Sequence, residues 1–146
     1  MFSKACEYGI KAIIYIATQS LNDNRVKIGD IAKNTDSPVA FTAKVLGALV
    51  KRNIVQSQTG PNGGFYIEKH RMDAIRVSDI VTAIDGDELF EGCALGLKSC
   101  SHLEPCPLHD KFVEIRSNLK KVLQETSVYD LTVGLQEGVT RLIRQA

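Results

Sequence analysis

The sequence predicts a mainly α-helical protein with one small β wing, organised as a winged helix-turn-helix followed by a long dimerisation helix. Apolar residues recur at the spacing of amphipathic helices along several segments. Residues 54–58 and 65–67 alternate as short strands around a glycine-rich turn, which is typical of a hairpin. A heptad-like apolar row predicts the long helix, and its members are Leu108, Phe112, Ile115, Leu119 and Val122.

Composition favours one domain, or one small domain with an appendage. The chain has 146 residues, 44% of them hydrophobic, which is enough for a single core. No apolar run approaches the roughly 18 residues of a membrane span, and the N-terminus lacks a signal-peptide pattern. We therefore expect a cytoplasmic protein with no membrane partner. Residues 1–76 hold 11 Lys and Arg against 6 Asp and Glu, whereas residues 77–146 hold 7 against 11. Such a basic segment is suggestive of DNA binding.

The first half of the chain predicts three helices. Residues 3–20 form an apolar helix, and Val26 to Arg52 resembles a helix-turn-helix. Within it, Ser37-Pro38 supplies an N-cap and a first-turn proline for the second helix. In this motif the second helix enters the major groove of DNA. The residues predicted to face the groove are Pro38, Ala40, Ala43, Lys44 and Lys51. The alternative is an ordinary helical hairpin.

The hairpin that follows favours a winged helix over a helical hairpin. Three glycines at its tip allow the backbone to approach another surface closely. We expect this wing to lie on the DNA backbone or in the minor groove. Its candidate DNA contacts are Thr59, Gly60, Pro61, Asn62 and Gly63.

The second half predicts three more helical segments. Ser78 is expected to cap a short helix that ends at Asp85-Gly86. The apolar row of the long helix needs a partner helix to pack against. A second copy of the chain related by two-fold symmetry most often provides such a partner, so we expect a homodimer. Packing within one subunit is the alternative. A final helix is suggested by Leu131, Leu135, Val139 and Leu142.

Three of the four cysteines lie in one loop, with the pattern Cys-x6-Cys-x5-Cys-x2-His from Cys93 to His109. Glycines and prolines in this segment favour a loop, which can bring several thiolates to one centre. Cys106-Pro107 predicts the start of the next helix, whose positive end would favour an anionic metal–thiolate centre. The loop therefore predicts a metal or iron–sulfur site. Separate structural thiols are the alternative.

Several motifs resemble the bacterial winged-helix repressors that include IscR, NsrR and the cysteine-metabolism regulator CymR, over nearly the full chain. The most specific are the wing and the three cysteines after Asp85-Gly86. The others are Glu7-Tyr8-Gly9, Lys44-Val45-Leu46, Asn53-Ile54-Val55, Ser78-Asp79-Ile80-Val81 and Cys106-Pro107-Leu108.

The resemblance implies a homodimer that binds a palindromic promoter site in double-stranded DNA. It also implies a [2Fe–2S] or [4Fe–4S] cluster held by Cys93, Cys100 and Cys106, since members like CymR lack these cysteines. For the fourth ligand, IscR-like members use a histidine, matched by His109. NsrR-like members use a carboxylate from the other subunit's first helix, matched by Glu7, which we slightly prefer.

The expected function is a repressor whose DNA affinity responds to nitric oxide, redox state or cluster supply through the cluster. Two features depart from the family pattern: Thr59 stands where an arginine is frequent, and the first cysteine spacing is one residue longer than usual. A zinc-stabilised DNA-binding protein is the alternative, since three cysteines and His109 also suit a tetrahedral site. We find no nucleophile–base arrangement and no phosphate-binding loop in the sequence, so nothing in it indicates an enzyme.

These predictions divide the chain into three parts. Residues 1–86 are expected to form the DNA-binding winged helix-turn-helix, 87–106 the cysteine loop, and 107–146 the dimerisation helix with the C-terminal helix.

Overall fold

Helices and one small antiparallel sheet account for the regular structure of residues 1–144, the part of the chain that the computed structural model describes. The helices are α1 (Lys4–Leu21), α2 (Ile28–Thr35), α3 (Val39–Lys51), α4 (Val77–Asp85), α5 (Glu88–Glu91), α6 (His109–Glu125) and α7 (Val128–Gln136). The strands are β1 (Gln56–Gln58) and β2 (Gly64–Tyr66), and a 3-10 turn spans Lys69–Arg71. The predicted fold class, mainly α with a small β wing, is confirmed.

Helix α1 lies at the centre of the fold and packs against α2, α3, α4 and α7. The Ser3 hydroxyl caps it by accepting a hydrogen bond from Cys6 N at 3.0 Å. Ile13 and Ile16 on its inner face are fully buried. Burying each such side chain stabilises the fold by about 1.5–3 kcal/mol. The core is therefore built around α1, and the helix-turn-helix is anchored to it.

The helix-turn-helix starts and turns at slightly different residues from those predicted. Val26 is not helical but pairs with Phe65 as an isolated β-bridge, so α2 begins two residues later at Ile28. Asp36, with φ 49°, ends α2 in the left-handed conformation. The N-cap position of α3 belongs to Pro38 instead of Ser37, because the Ser37 hydroxyl donates to Thr35 O at 3.1 Å.

The wing is a two-stranded hairpin that Val26 extends on one side. Strands β1 and β2 pair Gln56 with Tyr66 and Gln58 with Gly64. Val26 N donates to Phe65 O at 3.1 Å, and Phe65 N donates to Val26 O at 2.7 Å. This pair ties the wing to the chain that enters α2.

Three helix boundaries in the second half differ from the prediction. Arg76, rather than Ser78, is the N-cap of α4, and its N–H donates to Asp79 Oδ2 at 2.9 Å. Helix α6 begins at His109, because Cys106 to His109 form a turn in which His109 N donates to Cys106 O at 3.0 Å. Helix α7 stops at Gln136, before Gly138 adopts φ 76°. Val139 and Leu142 consequently lie beyond it.

The apolar row of α6 is divided between two faces. Leu119 packs against a small core cluster that contains Cys6, Val81 and, one turn further along α6, the buried Leu123. Ile115 and Val122 point away and are 55% and 58% exposed. Only part of the row is thus used within the subunit, and an apolar strip remains on the outside of α6.

Candidate nucleic-acid interface and candidate metal centre

The outer face of α3 carries the residues predicted to meet DNA. Ala40, Ala43, Lys44 and Lys51 are all exposed, as is Pro38 at the N-cap. Val45, Leu46 and Leu49 on the opposite face are buried, which fixes the rotation of the helix. Small side chains next to lysines allow close approach to a groove and to phosphates. The exposed Phe41, missed by sequence reasoning, packs edge-on against Tyr8 with ring centroids 5.4 Å apart.

The wing tip exposes backbone atoms and neutral side chains instead of charged side chains. Thr59, Gly60, Pro61 and Asn62 are exposed, whereas Gly63 is buried. A Cβ added at Gly63 would lie 2.1 Å from the carbonyl oxygen of Gln58. Gly63 is therefore needed to close the turn. The direct contacts of all five wing residues with DNA stay predictions.

Two cations that sequence reasoning missed lie beside the wing. The Arg25 guanidinium donates to Gln58 Oε1 and stands 4.5 Å from the ring centroid of Tyr66. Lys27 Nζ donates to Gly60 O at 3.0 Å. The available signal was the alternation of Arg25 and Lys27 around the apolar Val26, which is the period of a strand.

The cysteine loop is held against the start of α6 by contacts of Cys100 and His109. The Cys100 Sγ lies 3.4 Å from His109 Nδ1. His109 is only 4% exposed, and its Nε2 lies 2.9 Å from His102 Nδ1. His102, predicted to be a solvated loop residue, is exposed but makes this contact. Cys93, Cys100 and Cys106 are all half-buried.

Arg116 on α6 also holds the cysteine loop, through two hydrogen bonds. Its Nη2 donates to Cys100 Sγ at 3.0 Å, and its Nη1 donates to the carbonyl oxygen of Gly92. Sequence reasoning placed Arg116 only among charges that keep α6 solvated. Its position two turns after His109 was the available signal, because residues seven apart lie on one side of a helix.

The electrostatics of the loop favour a thiolate at Cys93. Backbone amides of Leu95 and Leu97 lower the pKa of Cys93 from its ordinary value, and the Cys106 thiol and the Arg116 guanidinium act in the same direction against desolvation. Hydrogen bonds and a nearby cation are the conditions under which a thiol ionises and binds metal.

The residue types suit an iron–sulfur cluster, because cysteine thiolates are its usual ligands. Three thiols lie in one loop, and a side-chain contact links Cys100 to His109 at the start of α6. Within residues 1–144, no three His, Cys, Asp or Glu side chains converge tightly enough to hold a single ion. A cluster several ångströms wide does not require its ligands to meet at one point.

Glu7, the other candidate ligand, lies at the start of α1. It forms an ion pair with Lys4 at 3.1 Å, which raises the pKa of Lys4. The neighbouring Cys6 is fully buried, and desolvation followed by the charges of Asp85 and Glu7 raises the pKa of Cys6 to about 12. Cys6 is therefore a neutral core thiol.

In residues 1–144, no helix combines the length and apolar character that crossing a lipid bilayer requires.

An exposed recognition helix, a wing and a cysteine loop packed on α6 together define a winged-helix transcriptional regulator. The chain belongs to the Rrf2 family, described as iron-dependent transcriptional regulators, whose model matches residues 2–134. The resemblance noted from the sequence motifs is thereby confirmed.

Relatives and solved structures agree with this family. A putative HTH-type transcriptional regulator of Aquifex aeolicus is 35% identical over 139 residues, covering 94% of each chain. The HTH-type transcriptional regulator IscR of Erwinia tasmaniensis is 26% identical over 138 residues, covering 94% of this chain and 81% of its own.

Among solved structures, the global cysteine regulator CymR of B. subtilis has a TM-score of 0.72 at 21% identity, covering 91% of this chain and 96% of its own. The T. potens IscR also has a TM-score of 0.72, at 19% identity, covering 100% of this chain and 93% of its own. The fold is therefore shared with these regulators. The chain is a DNA-binding regulator and not an enzyme, as the sequence predicted.

Proposed function

We propose that the protein is a dimeric cytoplasmic repressor whose affinity for a palindromic promoter site is controlled by an iron–sulfur cluster in the cysteine loop. The observation that carries this proposal is the pair of contacts made by Cys100, with His109 and with Arg116. They connect a candidate cluster ligand directly to α6. A change at the cluster would therefore act on the helix that also carries the exposed apolar strip.

Three cysteines of this chain and a fourth ligand would hold the cluster. The thiolates of Cys93, Cys100 and Cys106 supply three ligands, and a bound cluster would supply iron that reacts with nitric oxide or oxidants. Sequence reasoning preferred Glu7 as the fourth ligand. The contact of His109 with Cys100, and its nearly complete burial, favour His109 within one chain. Glu7 of the partner subunit is the competing candidate.

The exposed strip on α6 supports a homodimer. Ile115 and Val122 lie seven residues apart on one side of the helix and are more than half exposed. A second copy of α6 would remove this apolar surface from water and place two winged helices on one DNA site. Half-sites about one helical turn apart can be engaged together only when the dimer holds that spacing.

Purification without oxygen tests the cofactor. The protein should be coloured and contain iron and acid-labile sulfide, and Cys93→Ala, Cys100→Ala and Cys106→Ala should each lose the chromophore. Cys6→Ala is the matched control and should keep it, because Cys6 lies in the core. A colourless protein with stoichiometric zinc would contradict the proposal and support the zinc alternative.

The fourth ligand is tested by His109→Ala and Glu7→Ala in separate preparations. We expect the absorption spectrum to change for His109→Ala and to stay unchanged for Glu7→Ala. The reverse result would assign the ligand to Glu7 and would make the cluster bridge the dimer. If neither substitution changes the spectrum, the fourth ligand lies elsewhere.

A further inference from the structure

The wing has no cation of its own with which to bind a DNA phosphate. Between Gln56 and Tyr66 the sequence contains no Lys, Arg, Asp or Glu. Protein–DNA affinity depends strongly on cations that neutralise phosphates and release condensed counterions. A wing made only of neutral residues can approach the DNA backbone closely, but it cannot supply that electrostatic contribution.

The structure brings two cations from another part of the chain to the wing. Arg25 and Lys27 flank Val26, which is buried and paired with Phe65 of β2. Because alternate residues of a strand point to opposite faces, both cations project from the face opposite the buried Val26. Arg25 then reaches Gln58 of β1, and Lys27 reaches the carbonyl oxygen of Gly60 at the tip.

Arg25 is held in a defined orientation. Its guanidinium carbon stands 4.5 Å from the ring centroid of Tyr66, within the range of a cation–π contact, and it also donates to Gln58. A guanidinium positioned in this way loses little further entropy when its remaining N–H groups bind phosphate oxygens. The Tyr66 ring therefore helps to orient the Arg25 guanidinium.

Both cations remain available for a ligand. Arg25 and Lys27 are exposed, and within residues 1–144 neither takes part in an ion pair. The carboxylate of Asp23, close by in sequence, is engaged by Lys69 at 2.8 Å. The contacts of Arg25 and Lys27 with neutral oxygens hold them beside the wing without cancelling their charge.

We infer that Arg25 and Lys27 form the phosphate-binding site of the wing, so that cations on the strand before α2 supply the charge that the wing lacks. The ligand is the phosphodiester backbone, which is the same for every base sequence. This site goes beyond the proposed cluster function and does not depend on it, since it concerns only how the regulator holds DNA.

Salt dependence distinguishes a phosphate contact from a structural brace. The affinity of the full-length protein, with the same metal content in every variant, is measured over a range of salt concentrations. The probes are a short duplex of random sequence and an operator obtained by selection in vitro. The variants are Arg25→Gln and Lys27→Gln, and the matched control is Lys121→Gln, which removes an exposed cation of α6.

Each wing-side substitution should weaken binding about five- to tenfold and reduce the magnitude of the salt slope by about 0.9 per subunit, or about 1.8 for a dimer bound through both wings, on both duplexes alike. Lys121→Gln should leave the slope unchanged. Arg25→Lys should keep the slope, because it keeps the charge, while losing affinity through the lost orientation over Tyr66. Adding Thr59→Arg to a variant that carries both Arg25→Gln and Lys27→Gln should restore part of the slope.

Two results would overturn the inference. If Arg25→Gln and Lys27→Gln weaken binding but leave its salt dependence the same as in the wild type, the two residues only stabilise the structure of the wing. If the losses are confined to the selected operator, the residues read bases instead of phosphates. Circular dichroism melting of each variant tests the expectation that these exposed substitutions leave the fold intact.

Discussion

Gly64→Ala should lower the free energy of unfolding by about 2–4 kcal/mol, since it combines backbone strain with a collision. Gly64 has φ 137°, and an added Cβ would lie 2.8 Å from the carbonyl oxygen of Val26. A non-glycine residue in such a conformation costs about 1–3 kcal/mol. Relieving the collision moves β2 away from Val26 and weakens the two hydrogen bonds between Val26 and Phe65, each worth about 1 kcal/mol net.

Urea unfolding followed by circular dichroism measures this loss, and Gly60→Ala is the matched control. Gly60 also has a positive φ, 102°, but no atom lies within 4 Å of an added Cβ. Gly60→Ala should therefore cost about 1–2 kcal/mol less than Gly64→Ala. Equal losses for the two variants would refute the view that the bridge between Val26 and β2 stabilises the wing.

Three further predictions concern DNA contact, thiol reactivity and acid stability. Lys44→Ala should weaken operator binding by about 1–3 kcal/mol if its ammonium group reaches a base edge; unchanged affinity would mean that α3 is oriented differently on DNA. Because burial raises the pKa of Cys6 to about 12, iodoacetamide at neutral pH should leave Cys6 unmodified until the protein unfolds, and mass spectrometric detection of rapid labelling in folded protein would contradict its burial. The Ser127 backbone amide lowers the pKa of Asp130 below 3.8, so its stabilising contribution is complete above pH 3.8 and is lost as pH falls through the lowered pKa. Asp130→Asn should remove that part of the acid dependence of Tm; an unchanged dependence would argue against this cap.

The fold was predictable from the sequence where local chemistry determines it. The apolar period of α1, the buried triplet of α3 and the glycine-rich wing each specify their element with residues close in sequence. The start of α2 differs from the prediction because a long-range contact competes with the helix. Val26 has an apolar side chain suited to α2, yet pairing with Phe65, far along the chain, draws it into the sheet.

The candidate sites were predictable in residue type but not in their supporting contacts. The cysteine spacing selects Cys93, Cys100, Cys106 and His109 as candidate ligands, because their clustering is visible in the sequence, and their role as ligands stays a prediction. The position of Arg116 two turns after His109 indicated only that the two residues share one side of α6, and a surface arginine on a helix is usually solvated. Only the packing of the loop on α6 shows that it donates to Cys100.

Arg25 illustrates the same limit for the DNA interface. Nothing in the sequence links it to Gln58 or Tyr66, because that proximity depends on how Val26 joins the hairpin. A charge count alone detects an excess of cations in residues 1–76 but cannot tell which of them lie beside the wing.

Operator affinity of the cluster-loaded protein, compared with that of the cluster-free protein, tests the central claim most directly. A bound cluster would add metal–ligand bonds to a loop that contacts α6 through Cys100, His109 and Arg116, so removing it should change how the loop packs on α6 and alter the spacing of the two winged helices. We predict affinities that differ by about 5–150-fold, equivalent to a coupling of about 1–3 kcal/mol. Equal affinities of the two forms on several selected operators would show that the cluster does not control DNA binding.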